Sequence, residues 1–121
     1  MKSRFLYAAL ICLFFSTAHA ENNTVITESQ RAEMEMTAKN HRIDSAHGQY
    51  TYLVIIYNKS EKAKNLSGRD FVAIDGKGAR YSAGLIDRGL INKRMTGHET
   101  RSGVVGFEIP VDRKIVKLLL E

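Results

Sequence analysis

The alternation of hydrophobic and polar positions predicts a chain built from β-strands. The clearest segment is Gln49–Asn58, an uncharged run of aromatic and β-branched residues that follows Gly48. Such side chains are restricted at χ1 and pack well on a pleated sheet, so the run predicts a central strand. Both faces of this strand are apolar. One face carries Tyr50, Tyr52, Val54 and Ile56, and the other carries Leu53, Ile55 and Tyr57.

The second apolar face requires an explanation. In an antiparallel sandwich one face of a strand meets the core and the other meets water. One interpretation is that the preceding segment, with Met34 and Met36, folds over the second face, since most large apolar surface in a monomer is buried. The other interpretation is that Leu53, Ile55 and Tyr57 form a surface for a partner or for a homodimer.

The segment before the central strand carries two conflicting patterns. Thr27 and Gln30 match a helix capping box, and good helix formers follow them. From Arg31 onward, however, apolar and polar residues alternate, which is typical of a strand with one buried face. The alternation predicts an edge strand over residues 31–38, after a flexible tail over residues 21–30 and before a polar connector over residues 40–48.

Short apolar runs separated by turn residues continue after the central strand. Asp75-Gly76 predicts a tight hairpin, because this dipeptide supplies the positive φ angles of such a turn. Pro110 ends a strand, since proline cannot donate to a ladder. The predicted strands cover residues 71–74, 79–82, 104–109 and 114–120, with a crossing segment that holds a short strand over 83–95 and a polar turn over 96–103. About six or seven strands over residues 31–121 predict an all-β, immunoglobulin-like antiparallel β-sandwich in one domain.

The order of these residues carries a resemblance to a known family. An apolar strand ending in Asn58 is followed by Phe71, Asp75-Gly76-Lys77-Gly78-Ala79-Arg80-Tyr81, Gly97, Gly103 and Phe107-Glu108-Ile109-Pro110. Over residues 49–120 the chain resembles the bacterial secreted domain family of unknown function with the telokin-like, immunoglobulin-like sandwich of mycobacterial immunoprotective extracellular proteins. The resemblance implies this fold and brings no catalytic residues. Leu53, Ile55 and Tyr57 depart from the family, whose members tend to place polar residues there.

The start of the chain has the composition of a secretory signal peptide. Lys2 and Arg4 precede an apolar run over residues 5–15, and small residues follow at the positions of an A-x-A cleavage site. We therefore predict a cleaved signal peptide over residues 1–20 and export to the periplasm or the extracellular space. The apolar run is shorter than the roughly 20 residues of a spanning helix, so we expect no stable membrane anchor.

Cleavage changes the composition of the chain. Lys2 and Arg4 are lost, which leaves 16 basic against 13 acidic residues and lowers the net charge from +5 to +3. Cys12, the only cysteine, is also lost, so the mature chain has no disulfide although its compartment permits one. The mild positive charge forms no basic cluster, and nucleic-acid binding is not predicted.

Few residues are candidates for chemistry, and we predict neither a catalytic residue nor a cofactor. His41, Asp44, Ser45 and His47 lie close in sequence, but no nucleophile elbow or oxyanion hole has a signature here. Thioether and imidazole groups suit copper, yet their spacing matches no ligand motif. The weak metal candidates are Met34, Met36, His41, His47 and His98.

Three functional hypotheses follow. The first is a non-enzymatic secreted or periplasmic module of the bacterial cell envelope that binds an unidentified protein or envelope partner. The second is an envelope carrier of copper or of a small ligand. The third is an inhibitor of a cell-wall lytic enzyme, because residues 78–82 are similar to the serine-glycine-x-x-tyrosine loop of periplasmic lysozyme inhibitors, with Lys77 at the serine position.

Overall fold

The computed structural model describes residues 25–121, which form eight strands in two four-stranded sheets. The strands are β1 (Ile26–Ser29), β2 (Met34–Asp44), β3 (Gln49–Asn58), β4 (Phe71–Asp75), β5 (Arg80–Ser82), β6 (Leu85–Ile86), β7 (Thr100–Glu108) and β8 (Ile115–Leu120). A four-residue helix, α1 (Arg88–Ile91), links β6 to β7. Within the described residues no helix is long and apolar enough to cross a membrane. The predicted all-β sandwich is confirmed.

The two sheets have different connectivity. The front sheet has the order β2-β3-β7-β6 and is antiparallel throughout. The back sheet has the order β1-β8-β4-β5, and β1 runs parallel to β8. Strand β3 pairs with β2 on one side and with β7 on the other over nearly its whole length. It is therefore the central strand of the front sheet, as its apolar sequence predicts.

The core lies between the sheets and is formed by alternate residues of each strand. Tyr52, Val54 and Ile56 of β3 face inward and are at most 2% exposed. The ring centroid of Tyr52 lies 6.3 Å from that of Phe107 on β7. The back sheet contributes Phe71, Ala73, Leu118 and Leu120 to the core. Each buried Val, Leu, Ile or Phe side chain among these stabilises the fold by about 1.5–3 kcal/mol. The apolar packing holds the layers together without a disulfide.

The N-terminal segment is a strand, but its boundaries differ from the prediction. Strand β2 begins at Met34 and continues to Asp44, through most of the predicted polar connector. A bulge between Asn40 and Arg42 shifts the register, and pairing with β3 then continues to Asp44. Backbone pairing with an apolar neighbour can include polar residues, because the hydrogen bonds of the ladder join main-chain groups whatever the side chains are.

The prediction of a flexible tail over residues 21–30 is wrong for Ile26–Ser29. These residues form β1, which pairs with Lys117–Leu120 of β8, and the Gln30 amide donates to the Leu120 carbonyl at 2.7 Å. The strand forms through backbone hydrogen bonds that a polar composition does not reveal. Residues 1–24, including the predicted signal peptide, lie outside the described residues.

Met34 and Met36 do not cover the outer face of β3, so the covering interpretation is wrong. They pair with Asn58 and Ile56 on the core side of the front sheet and are 2% and 6% exposed. Because β2 joins β3 edge to edge, the alternation that turns its methionines into the core leaves Leu53, Ile55 and Tyr57 without a layer above them from residues 25–121.

The β4–β5 hairpin forms, but its turn is not the predicted tight Asp-Gly turn. The Asp75 amide donates to the Ala79 carbonyl at 3.0 Å, so three residues, Gly76, Lys77 and Gly78, form the loop, and the positive φ of 89° falls at Gly78. Such loops typically place a glycine in the left-handed region at their last position. The Asp75 carboxylate accepts the amides of Lys77 and Ala79 at 2.8 and 2.9 Å, which closes the turn.

Candidate functional site

The outer surface of the front sheet, here called the front face, is the candidate site. Strand pairing arranges its side chains in rows across the sheet. Three of these rows contain the predicted interaction residues: Glu35–Tyr57–Thr100, Thr37–Ile55–Ser102 and Lys39–Leu53–Val104. The three predicted interaction residues therefore lie between polar side chains of β2 on one side and Thr100, Ser102 and Val104 of β7 on the other.

Apolar side chains on the front face are accessible to solvent. Ile55 is 42% exposed and Leu85 of β6 is 54% exposed, while Leu53, Tyr57 and Val104 are half-buried. These five residues are called the apolar strip below. Within residues 25–121 no strand or helix packs over the strip, because the back sheet lies on the opposite side.

The outer surface of the back sheet differs at its centre, where the apolar residues are buried, although Ile26 at its edge is 68% exposed. Val72 and Leu119 pair with each other and are only 6% and 2% exposed. Two ion pairs lie on the same surface, Lys117 with Glu28 at 2.8 Å and Arg80 with Glu121. Long charged side chains can cover apolar surface with their aliphatic parts while their charged groups stay in water. Within the described residues, Ile55 and Leu85 of the front face remain 42% and 54% exposed.

A groove of about 540 Å³ opens at one end of the strip, beside Thr51, Leu85 and Gly106. Gly106 pairs with both neighbours, and a Cβ at this position would lie 3.0 Å from the Thr51 methyl group. The Thr51 and Leu85 side chains therefore lie close to the Gly106 backbone, and a side chain at this position would displace them. Gln49 and Glu108 supply polar groups at its rim.

The histidines predicted as weak metal candidates are far apart. His41 Nδ1 lies 3.2 Å from Thr51 Oγ1, and His98 Nδ1 lies 3.3 Å from the Tyr57 hydroxyl. Thr51 and Tyr57 are separated by roughly 20 Å along β3, so the two imidazoles lie at opposite ends of the front face. His47 lies beside Asp44, with Nδ1 2.9 Å from Oδ2, in a 3-10 turn outside the sheet.

The five metal candidates consequently do not share a site. Met34 and Met36 are buried in the core, and the structured residues 25–121 contain no group of three or more His, Cys, Asp or Glu side chains able to hold an ion. The residues His41, Asp44, Ser45 and His47, which are close in sequence, also form no Ser-His-Asp triad within residues 25–121. In the described part of the chain, His41 contacts Thr51 and His47 contacts Asp44, and neither imidazole hydrogen-bonds to Ser45.

Two buried polar residues, Asn58 and Asp75, organise the loops at the ends of the sandwich. The Asp75 side chain is 1% exposed and accepts four hydrogen bonds: the Tyr81 hydroxyl (2.8 Å), the amides of Ala79 and Lys77, and the Arg113 guanidinium (2.9 Å). Burial raises the pKa of Asp75, but these hydrogen bonds outweigh burial and lower the pKa to about 2.

In the sequence, Asp75 is predicted only as a turn residue, and residues 78–82 only as a loop similar to that of lysozyme inhibitors. The structure directs the Tyr81 hydroxyl onto the buried carboxylate of Asp75. The tyrosine that would enter an enzyme's cleft is therefore engaged inside the hairpin. A turn aspartate followed six residues later by a tyrosine on the same hairpin is the one sequence signal that could have indicated this contact.

The lowered pKa of Asp75 predicts a specific dependence of stability on pH. Because the folded-state pKa lies below the ordinary value of 3.8, the ionised carboxylate stabilises the fold above that value. This stabilisation is lost as the pH falls through the folded pKa of about 2. The urea midpoint of the unmodified protein should exceed that of Asp75→Asn at pH 7, and the difference should shrink between pH 4 and pH 2.

Asp112→Asn is the control for this experiment, because the Asp112 side chain is 74% exposed. Its urea midpoint should follow that of the unmodified protein at each pH. A constant difference between Asp75→Asn and the unmodified protein down to pH 2 would show that the charge of Asp75 does not stabilise the fold.

Comparisons with known proteins bear on the fold alone. No protein-family model matches the sequence, and no curated protein matches it. The chain is similar to the crystal structure of an ApaG protein from Pseudomonas aeruginosa, with 13% identity and a TM-score of 0.53 over 65% of this chain and 82% of that chain. It is also similar to MPT63, a secreted protein from Mycobacterium tuberculosis, with 10% identity and a TM-score of 0.49 over 80% of this chain and 98% of that chain. The likeness to the ApaG protein shows that this chain has a two-layered β-sandwich fold that also occurs in a solved structure.

Proposed function

We propose that this protein is an exported, non-enzymatic binding module of the bacterial cell envelope and that its front face binds a protein partner. The uncovered apolar strip carries this proposal. Contiguous exposed apolar surface with a polar rim is a feature of interaction sites, whereas single exposed apolar residues are not. Thr37, Ser102 and Thr100 form such a rim beside the strip.

The position of the strip also suits binding. Leu53, Ile55 and Tyr57 lie on the central strand, which is paired on both sides. Their backbone is therefore held in place before a partner arrives, and little ordering entropy is lost on association. Tyr57 adds an aromatic side chain of the type that is enriched in interface centres.

Export and the family assignment rest on the sequence. The composition of residues 1–20 supports secretion, and the resemblance over residues 49–120 supports membership in the secreted immunoglobulin-like domain family. A cysteine-free mature chain is consistent with the absence of thiol chemistry in the proposed function. Neither alternative gains support from the structure, since the copper candidates do not converge and Tyr81 is directed inward.

Replacing Ile55 by aspartate should leave a folded protein and abolish partner binding. The Ile55 side chain is 42% exposed, so the substitution should lower the free energy of unfolding by only about 1 kcal/mol. A charge at the centre of a desolvated interface has no partner there and should weaken binding at least about a hundredfold. Leu53→Asp should act in the same way.

The measurement is co-purification from the native cell envelope, with circular dichroism to verify folding. Val116→Asp is the matched control, because Val116 is 47% exposed in a strand of the back sheet. Proteins retained by the unmodified chain and by Val116→Asp should be lost with Ile55→Asp. If Ile55→Asp unfolds the chain, the face is ordinary core and the proposal fails.

A further inference from the structure

Strand β2 carries a polarised column of charge along the edge of the front face. Glu35 lies on one side of Thr37, and Lys39 and then Arg42 lie on the other. Glu33 extends the acidic half, because its carbonyl accepts the Lys59 amide at 2.8 Å and so continues the ladder by one residue. The column is thus acidic at one end, neutral at Thr37 and basic at the other end.

The two halves of the column differ in their ion pairs. Glu33 is paired with Lys64 at 2.6 Å, and Glu35 lies 3.5 Å from Lys59 with its side chain 59% exposed. Lys39 and Arg42 are exposed and have no ion-pair partner within the described part of the chain. Two unpaired cations therefore lie beside the apolar strip at one end of the face.

Two copies of this protein can stack front face to front face about a two-fold axis that lies between the two sheets and runs parallel to them. Two directions of this axis are considered. An axis parallel to the strands places β2 of one copy over β7 of the other, with Lys39 above Val104. Burying the ammonium group of Lys39 against an apolar side chain is unfavourable. An axis perpendicular to the strands, through Thr37 and Ile55, places β2 over β2 of the second copy.

The perpendicular axis brings opposite charges together twice. Lys39 of each copy then lies over Glu35 of the other, and Ile55 meets Ile55 at the axis. Leu53 meets Tyr57 of the second copy, so the apolar strip packs against itself. Facing sheets pack about 10 Å apart with their strands rotated by roughly 30°, an offset that the long side chains of Lys39 and Glu35 can span.

We infer that the partner on the front face is a second copy of this chain, related by this perpendicular two-fold axis. The inference rests on the proposed function, which identifies the front face as the binding surface. The resulting interface is isologous, since the same residues contribute from both copies. Complementary charge fixes its orientation, and the apolar strip supplies the buried area.

The edge of the front sheet is a poorer contact between copies than its face. The bulge between Asn40 and Arg42 interrupts the β2 ladder and opposes the addition of another strand. Thr27 of β1 also donates its hydroxyl to the Met36 carbonyl at 3.0 Å, which occupies part of this edge. A dimer that extends the sheet edge to edge is therefore not the proposed arrangement.

Charge reversal combined with sedimentation equilibrium tests the inference. The exported protein, measured from about 1 μM to about 1 mM, should dimerise. Glu35→Lys and Lys39→Glu should each weaken dimerisation at least about tenfold, because each places like charges together at two equivalent positions. The double variant E35K/K39E restores opposite charges and should dimerise within about threefold of the unmodified protein. Both residues are exposed, and circular dichroism verifies that the variants fold.

Each outcome supports or overturns the inference. Weakening by both single reversals and recovery in the double variant support it. An unmodified protein that stays monomeric throughout overturns it, and the proposed function then stands if Ile55→Asp still loses an envelope partner. A dimer that is insensitive to Glu35→Lys, Lys39→Glu and Ile55→Asp shows that copies associate elsewhere. Weakening without recovery in the double variant rejects the perpendicular axis.

Discussion

Replacing Asn58 by alanine should lower the free energy of unfolding by about 3 kcal/mol, the upper part of the range for loss of a buried polar network. Asn58 ends the central strand and is 0% exposed. Its side-chain amide donates to the Lys62 carbonyl at 2.8 Å and to the Thr96 carbonyl at 3.0 Å. Its carbonyl oxygen accepts the Ser60 amide and hydroxyl at 3.0 and 2.9 Å.

The expected loss is large because Asn58 joins two loops that are distant in sequence. It connects the loop after β3 to the loop before β7, where Lys64 and Met95 also exchange backbone hydrogen bonds at 2.8 and 2.7 Å. Alanine cannot supply these donors and acceptors, and partly buried carbonyl and amide groups would remain without partners.

Urea unfolding measures this effect, and amide hydrogen exchange locates it. Asn65→Ala is the control, because Asn65 is exposed in the same loop and its substitution should change stability by less than about 0.5 kcal/mol. The amides of Ser60 and Lys64 should exchange faster in Asn58→Ala alone. Equal stability of the two variants would contradict the role of Asn58.

Replacing Gly48 by alanine should also cost about 3 kcal/mol, as the combined result of conformational strain and a steric clash. Gly48 begins the turn into β3 with a φ of 68°, a region that disfavours residues with a Cβ. An added Cβ would overlap the carbonyl oxygen of Ile109. The Ile109 amide also donates to the Gly48 carbonyl at 2.8 Å, which holds the two backbone segments close together.

The Gly78→Ala variant gives the cost of the left-handed backbone conformation without a steric clash. Gly78 has a φ of 89°, but nothing lies within 4 Å of a Cβ at this position. Its substitution should cost only about 1–2 kcal/mol, from the left-handed conformation alone. Thermal or urea unfolding of both variants gives the contribution of the Ile109 contact by difference. A Gly48→Ala variant as stable as Gly78→Ala would show that the Ile109 carbonyl moves aside at little cost.

The strands with strong side-chain patterns could be predicted from the sequence. The inward residues of β3, and Val105 and Phe107 of β7, alternate as expected and are buried. Strand β1 was missed because Ile26–Ser29 is polar on average and is held by backbone pairing with β8. The end of β2 was missed for the same reason, since residues 40–44 form a strand only beside their partner.

The candidate site could be predicted in part. Leu53, Ile55 and Tyr57 are adjacent on one strand, so their shared face follows from alternation alone. Val104 lies on β7, about fifty residues later in the chain, and joins them only because β7 pairs with β3. Such long-range register is not visible in a local sequence pattern. Asn58-Lys59-Ser60 is a typical Asx-turn sequence that could have indicated the role of Asn58.

Photo-crosslinking in the cell envelope tests most directly whether the front face is the binding surface. A benzophenone amino acid placed at Ile55 should form an adduct with the mass of two copies of the exported chain, and the same group at Val116 should form none. An adduct of Ile55 with a different protein would retain the proposed binding face and reject the second copy as its partner. No adduct at Ile55, or identical adducts at both positions, would contradict the account.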